Sequence, residues 1–130
     1  MAGFSDYLED KVLDHVFGGV AYTAPTTHYV ALYTVAPTDT GGGTEVTGGS
    51  YARQTSTFTV SGTSPTTATN AAAVEYPTAT ADYGTVVAVG IMDALTSGNL
   101  LAYANLDTSK VVSNGDVFRF DASDLDITLA

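Results

Sequence analysis

His28-Tyr29-Val30-Ala31-Leu32-Tyr33-Thr34-Val35 runs directly into Ala36-Pro37-Thr38-Asp39-Thr40-Gly41-Gly42-Gly43-Thr44-Glu45-Val46-Thr47-Gly48-Gly49-Ser50-Tyr51-Ala52-Arg53. The first segment is apolar on both alternating faces, as expected of a strand covered from both sides. A long Gly/Thr connection, residues 36–50, then leads to residues 51–60, whose Thr-rich, mixed character suits an edge or half-exposed strand. A core-grade strand, a glycine loop and a second strand make a building block; they do not suggest a reaction centre.

Upstream of this block the spacing predicts one helix over residues 4–18. Ser5 can cap it, and Asp6, Glu9 and Asp10 put negative charge in its opening turns, where the helix dipole favours it. Leu8, Val12, Leu13, Val16 and Phe17 recur at three- and four-residue spacing as one apolar stripe, and Gly18-Gly19 supplies the stop. A helix of roughly 13 residues is marginal alone in water, so the stripe must pack on its own sheet or on a neighbouring subunit.

Downstream the periodicity is that of strands. Residues 71–76 end at Pro77, 85–92 form a second core strand, and the turn at 93–99 leads back into 100–106. Residues 110–112 and 117–121 flank Ser113-Asn114-Gly115-Asp116, whose Asn-Gly pair marks a turn. In the last strand Leu125, Ile127 and Leu129 face one way, Asp126 and Thr128 the other. The pattern predicts a mainly β protein: an antiparallel β-sandwich, jelly-roll or immunoglobulin-like, of about 7–8 strands with one N-terminal helix. The stretches 36–50 and 61–70 read as loops that are mobile in an isolated copy and serve as contact arms in an assembly.

The 130 residues are expected to form one domain, with the helix at 4–18 and the sandwich at 20–130. A hydrophobic fraction of 45% with 14% charged residues excludes a disordered chain. Cysteine is absent, so disulfides and thiolate metal sites are excluded. No apolar run approaches the roughly 20 residues of a membrane span. The N-terminus lacks a basic-then-apolar export signal, since Asp6, Glu9 and Asp10 fall where it would be apolar. The net charge is −10, and the four cations, Lys11, Arg53, Lys110 and Arg119, are scattered. Phosphate binding needs clustered cations, so neither nucleic acid nor a membrane is an expected partner.

Catalytic signatures are weak. His15 follows Asp14 on the helix, but adjacent helical residues do not face each other. His28 opens a strand, and neither a nucleophile elbow nor a phosphate-binding glycine pattern occurs. Asp121, Asp124 and Asp126 could offer oxygens to Ca²⁺, yet the Gly and bidentate Glu of an EF-hand are missing and a polar turn accounts for them. No catalytic, cofactor-binding or metal-binding residue is therefore assigned, and an enzyme is not expected. Tyr29 and Tyr33 share strand parity with Ala31 and read as packing residues, whereas Tyr22, Tyr51 and Tyr83 lie near loops as contact candidates. Arg119, on the opposite strand face from Phe118 and Phe120, could reach a partner's carboxylate or form an internal surface pair. Phe4, Leu8, Gly42 and Arg53 complete the candidate contact set.

Several motifs together carry a family resemblance. Tyr29-Val30-Ala31-Leu32-Tyr33-Thr34 with Ala36-Pro37-Thr38-Asp39 and the glycine run to Arg53 form the first. Tyr76-Pro77-Thr78-Ala79-Thr80-Ala81-Asp82-Tyr83-Gly84-Thr85 and Gly90-Ile91-Met92-Asp93-Ala94 with Gly98-Asn99-Leu100-Leu101 follow, before the Asn-Gly turn and Leu125-Asp126-Ile127-Thr128-Leu129. With the opening helix, these make nearly the whole chain resemble small phage virion proteins often labelled tail fibre protein. Tyr83 stands where that family has a Trp in Asp-Trp-Gly. The resemblance implies a non-enzymatic structural protein of a phage particle, assembled in the host cytoplasm, with no catalytic residues to carry over. A fibre shaft needs repeats or heptads, and this segment shows none. A capsid decoration (cement) protein that binds the major capsid protein and stabilises the shell is therefore the leading expectation, as a dimer or trimer. The alternative is a tail-fibre, baseplate or other tail-associated protein, including a carbohydrate-binding module for host attachment.

Overall fold

Strand His28–Val35 pairs antiparallel with strand Gly84–Met92, which pairs in turn with the long strand Leu100–Val112. These three form the centre of the larger sheet in the computed structural model, which describes residues 3–129. In chain order the elements are β1 (Gly3–Phe4), α1 (Asp6–Leu13), β2 (His28–Val35), β3 (Thr44–Glu45), β4 (Gln54–Ser56) and β5 (Phe58–Ser61). They continue with β6 (Thr66–Asn70), β7 (Val74–Glu75), β8 (Gly84–Met92), β9 (Leu100–Val112), β10 (Arg119–Phe120) and β11 (Asp126–Leu129). The six-stranded sheet runs β1-β9-β8-β2-β3, with β4 also on the outer edge of β2. A three-stranded sheet, β11-β6-β5, and a two-stranded ribbon, β10-β7, form the facing layer.

Strand alternation explains the layering. Val30 and Leu32 of β2 point into the core between the layers, together with Val86 and Ile91 of β8, Leu101 and Val112 of β9, and Val74, Tyr76, Phe118, Phe120 and Leu125 from the facing side. Ala31 and Tyr33 point the other way and form a smaller cluster with Ala88, Met92 and Leu100. The central strand is thus apolar on both faces because both faces are covered. This is the predicted mainly β, antiparallel sandwich with its helix near the N-terminus.

Several boundaries differ from expectation. The helix begins at Asp6, not residue 4, because Phe4 pairs with Ala102 on the edge of β9. Ser5 caps it as predicted, accepting from the Leu8 amide while its hydroxyl donates to the Leu100 carbonyl. Residues Asp14–Gly18 widen into a single π-helical turn that ends at Gly19 in the left-handed region. Residues 51–60 are not one strand: β4 pairs with β2 and β5 with β6, so the chain crosses between layers at Thr57. Residues 100–112 are one strand, because Asn105 and Lys110 pair with Ala88 and Val86 while residues 106–109 bulge outward. Leu125 and Ile127 face the core as predicted, and the side chain of Leu129 lies outside the described residues.

Residues 61–70 also contain strand β6 where a loop was expected. Asn70 is its anchor. It is 1% exposed, its amide donates to the Ala72 and Asp121 carbonyls, and its carbonyl oxygen accepts from the Leu125 amide. Asn70→Ala strands several buried partners at once and should cost about 2 kcal/mol, read as a lowered urea midpoint with an unchanged slope.

Candidate functional site

The longest glycine-rich stretch is tied down and does not hang free. Thr38 and Gly41 bridge to each other, the Asp6 amide donates to the Asp39 carbonyl, and the Tyr103 hydroxyl donates to the Asp39 carboxylate. Residues 36–43 are thereby held near Tyr33, Met92 and Leu100 in a shared cavity lining, beside the second face of the large sheet. Gly43 is required there: its φ is +73°, and an added Cβ would lie 2.6 Å from the Val35 carbonyl oxygen and 2.8 Å from the Pro37 nitrogen. Gly42, by contrast, is exposed, with open space around it.

The far end of the stretch is clamped by charge. The Arg53 guanidinium grips Glu45 bidentately at 2.8 and 2.9 Å, and its remaining terminal nitrogen donates to the Ala94 and Ser97 carbonyls, both at 2.8 Å. The Arg53 side chain is 7% exposed and that of Glu45 24%. The Tyr51 hydroxyl donates to Glu45 at 2.6 Å and accepts from the Leu32 amide at 3.0 Å. That amide needs an outside partner, because β4 flanks β2 only at residues 28–30 and β3 only from Tyr33 onward. Burial alone would raise the Glu45 pKa, but the hydrogen bonds from Arg53 and Tyr51 outweigh it and hold the carboxyl below its usual value. Burial and the Glu45 bond push the Tyr51 hydroxyl far up, and the Glu45 bond raises Arg53. No group in this trio is poised to exchange a proton near neutrality. It is a clip joining β3, the approach to β4 and the β8–β9 turn.

The clip turns inward residues that the sequence suggested for contact. Tyr51 stacks on Tyr76 with ring centres 6.0 Å apart, and Tyr83 meets Tyr51 edge-on at 5.8 Å. Tyr83 is buried, with its hydroxyl near those of Ser50 and the Pro77 carbonyl. Tyr83 and Arg53 are therefore corrected from contact residues to core residues: each finds its partners within the chain. Arg119 forms the internal surface pair, bonding Asp121 at 2.9 Å and its cross-strand neighbour Glu75 at 3.3 Å. Phe4, Leu8 and Tyr22 are half-buried, and the Tyr22 amide donates to His15 Nδ1. Tyr29 and Tyr33 pack on the second face, as their parity indicated.

The remaining polar groups are engaged locally. His28 meets Phe58 edge-on, the Asp124 carboxylate accepts from the Asp121 amide, and Asp126 accepts from Thr69. Among the described residues no three carboxylates or histidines converge to hold a metal, and every buried side-chain nitrogen or oxygen has a partner. Two surface features stand apart. One is an open groove of about 370 Å³ between the outer edge of β9 and strands β10 and β11, with Phe118, Phe120 and Leu125 among its lining and Asp107, Lys110 and Asp124 among its charges. The other is the end of the helix, where Leu13, Val16, Phe17 and Val20 are 58, 60, 83 and 55% exposed. The first half of the apolar stripe packs as expected, through Leu8, and the second half covers nothing.

Residues 3–128 match the sequence model of the family described as podophage GP4 fiber I protein gp80. The chain belongs to this phage fibre family. It is accordingly a structural component of a phage virion, and the family description is that of a fibre. No curated protein is similar enough to the chain to count as a match. Within this fibre-family chain, the signal for the exposed strip was present in the stripe spacing. The signal for the clip was not, because Glu45 and Arg53 carry no pattern until β3 and β4 flank the same strand.

Proposed function

We propose that the chain is a non-enzymatic building block attached to the tail of the phage particle, present as a dimer or trimer and working by binding other virion proteins. The observation that carries this is the fibre-family match over nearly the whole chain, which favours the tail over the capsid shell. The molecule suits the task. Among the described residues the buried polar side chains are satisfied internally, and the glycine loop is clamped. The free energy of the fold therefore goes into a rigid two-layer slab that leaves apolar side chains exposed, a group of them at the end of the helix. A slab of this kind transmits load and presents surfaces.

Quantitative mass spectrometry of purified virions, with gold-labelled antibody in the electron microscope, tests the proposal. Copies in a small multiple of the tail symmetry, with label at the tail, are expected. Copies matching the number of capsid subunits, with label over the shell, would assign the protein to capsid decoration instead. Specific binding of a surface glycan, or its cleavage, would replace the structural role with a host-attachment or enzymatic one.

A further inference from the structure

We propose that residues 13–20, the end of the helix and its exit, form a docking tip that inserts Leu13, Val16, Phe17 and Val20 into an apolar groove, rimmed with basic side chains, on a different virion protein. The proposal rests on the reading of the chain as a virion component and names what it binds with. Leu13, Val16 and Phe17 stand at i, i+3 and i+4 where α1 runs into the π turn, and Val20 follows just past the left-handed Gly19 that ends it. All are more than half exposed, and Phe17 is 83% exposed.

The strip is held in shape without being used inside the chain. The π turn continues α1 to Gly18, Gly19 ends it in the left-handed region, and the Val20 amide closes back on the Asp14 carbonyl at 3.1 Å. The Tyr22 amide then bonds His15 Nδ1 at 3.0 Å, fixing the exit of the chain. Ordering exposed apolar groups in advance lowers the entropy cost of binding, and little else recovers the cost of exposing them.

Charge and area identify the occupant. Glu9, Asp10 and Asp14 lie on the same helical segment, while Lys11, its only Lys or Arg, lies over the Tyr7 ring. In a chain of net charge −10, pairing two strips would bring like charges together. A strip of four side chains also falls short of the roughly 800 Å² per partner that a stable dimer buries. A groove encloses the strip from both sides, and basic residues at its rim would meet the helix carboxylates. The complementary chemistry is therefore an apolar, basic-rimmed groove on another protein.

Phage carrying a nonsense codon in this gene, grown in cells that supply the protein from a plasmid, provide the test. The wild-type chain should be incorporated into particles. Phe17→Asp should be incorporated roughly 30-fold less, the loss of a hot-spot anchor, and Asp10→Lys should be depleted to a smaller degree. Circular dichroism and melting of both variants should match wild type, since these side chains are exposed. Should Phe17→Asp misfold, Val16→Ser carries the same test. Benzoylphenylalanine at position 17 should photocrosslink, in the particle, to an apolar peptide of a different virion protein flanked by Lys or Arg. A crosslink between two copies of this chain overturns the proposal, as does undiminished incorporation of a folded Phe17→Asp. If the wild-type chain itself is absent from particles, the virion reading falls and the docking tip falls with it.

Discussion

Replacing Arg53 with Met is expected to destabilise the protein by about 3 kcal/mol, a drop of about 10 °C in melting temperature for a chain of this size. The loss is not that of a surface ion pair, for which about 0–1 kcal/mol would be the ordinary expectation. Arg53 is buried and uses its guanidinium on both Glu45 oxygens and on two turn carbonyls, so its removal strands a carboxylate and two acceptors. Water reaching the partly exposed Glu45 keeps the figure at the lower end of the range for broken buried pairs. Removing both charges, in Arg53→Met with Glu45→Leu, should recover much of the loss, because no charge is then left unpaired. Calorimetry of the single and double variants separates these cases.

The same clip sets a pH dependence. The folded state holds the Glu45 pKa below its unfolded value, so the stabilisation is fully present above the usual glutamate pKa. It is lost as pH falls through the depressed folded value. Glu45→Gln should therefore be less stable than wild type at neutral pH and lose less on acidification, with the two curves converging at low pH.

Tyr76→Ala should cost about 4 kcal/mol, the largest effect of any substitution considered. Tyr76 is 1% exposed and joins the layers: its ring lies between Tyr51 and Phe118, its amide bonds the Phe118 carbonyl, and its hydroxyl reaches the Val30 carbonyl at 2.7 Å. Truncation opens a cavity where the two sheets meet, and the stiff strands on either side cannot close it. Tyr76→Phe keeps the volume and removes only the hydroxyl, so a loss of about 1 kcal/mol is expected. Equal losses in the two variants, measured by urea unfolding, would show that the hydroxyl and not the packed ring holds the layers together.

The sequence was most legible where a local rule has one outcome. Val30 and Leu32 against Ala31 and Tyr33 announced a strand covered on both faces, Ser5 and Gly19 bracketed the helix, and Asn114-Gly115 marked its turn. It was least legible where composition and context disagree. The β6 segment reads Thr-Thr-Ala-Thr-Asn, which has the polarity of a loop, yet Asn70 and pairing on both sides make it the central strand of its sheet. The break at Thr57 carries no Gly or Pro, because the chain changes layers through pairing partners and not through a turn residue. Arg53 and Tyr83 looked available because they flank glycine loops, but partners distant in sequence draw them inward. The helix stripe shows the complementary limit. Periodicity reveals which face is apolar, and only the packed fold reveals that half of it is left uncovered.

An asymmetric cryo-EM reconstruction of the intact virion tests the central claim most directly. The account predicts density for this two-layer domain at the tail, with residues 13–20 buried against a different polypeptide. Density for the domain spread over the capsid shell, or none on the particle, would contradict it.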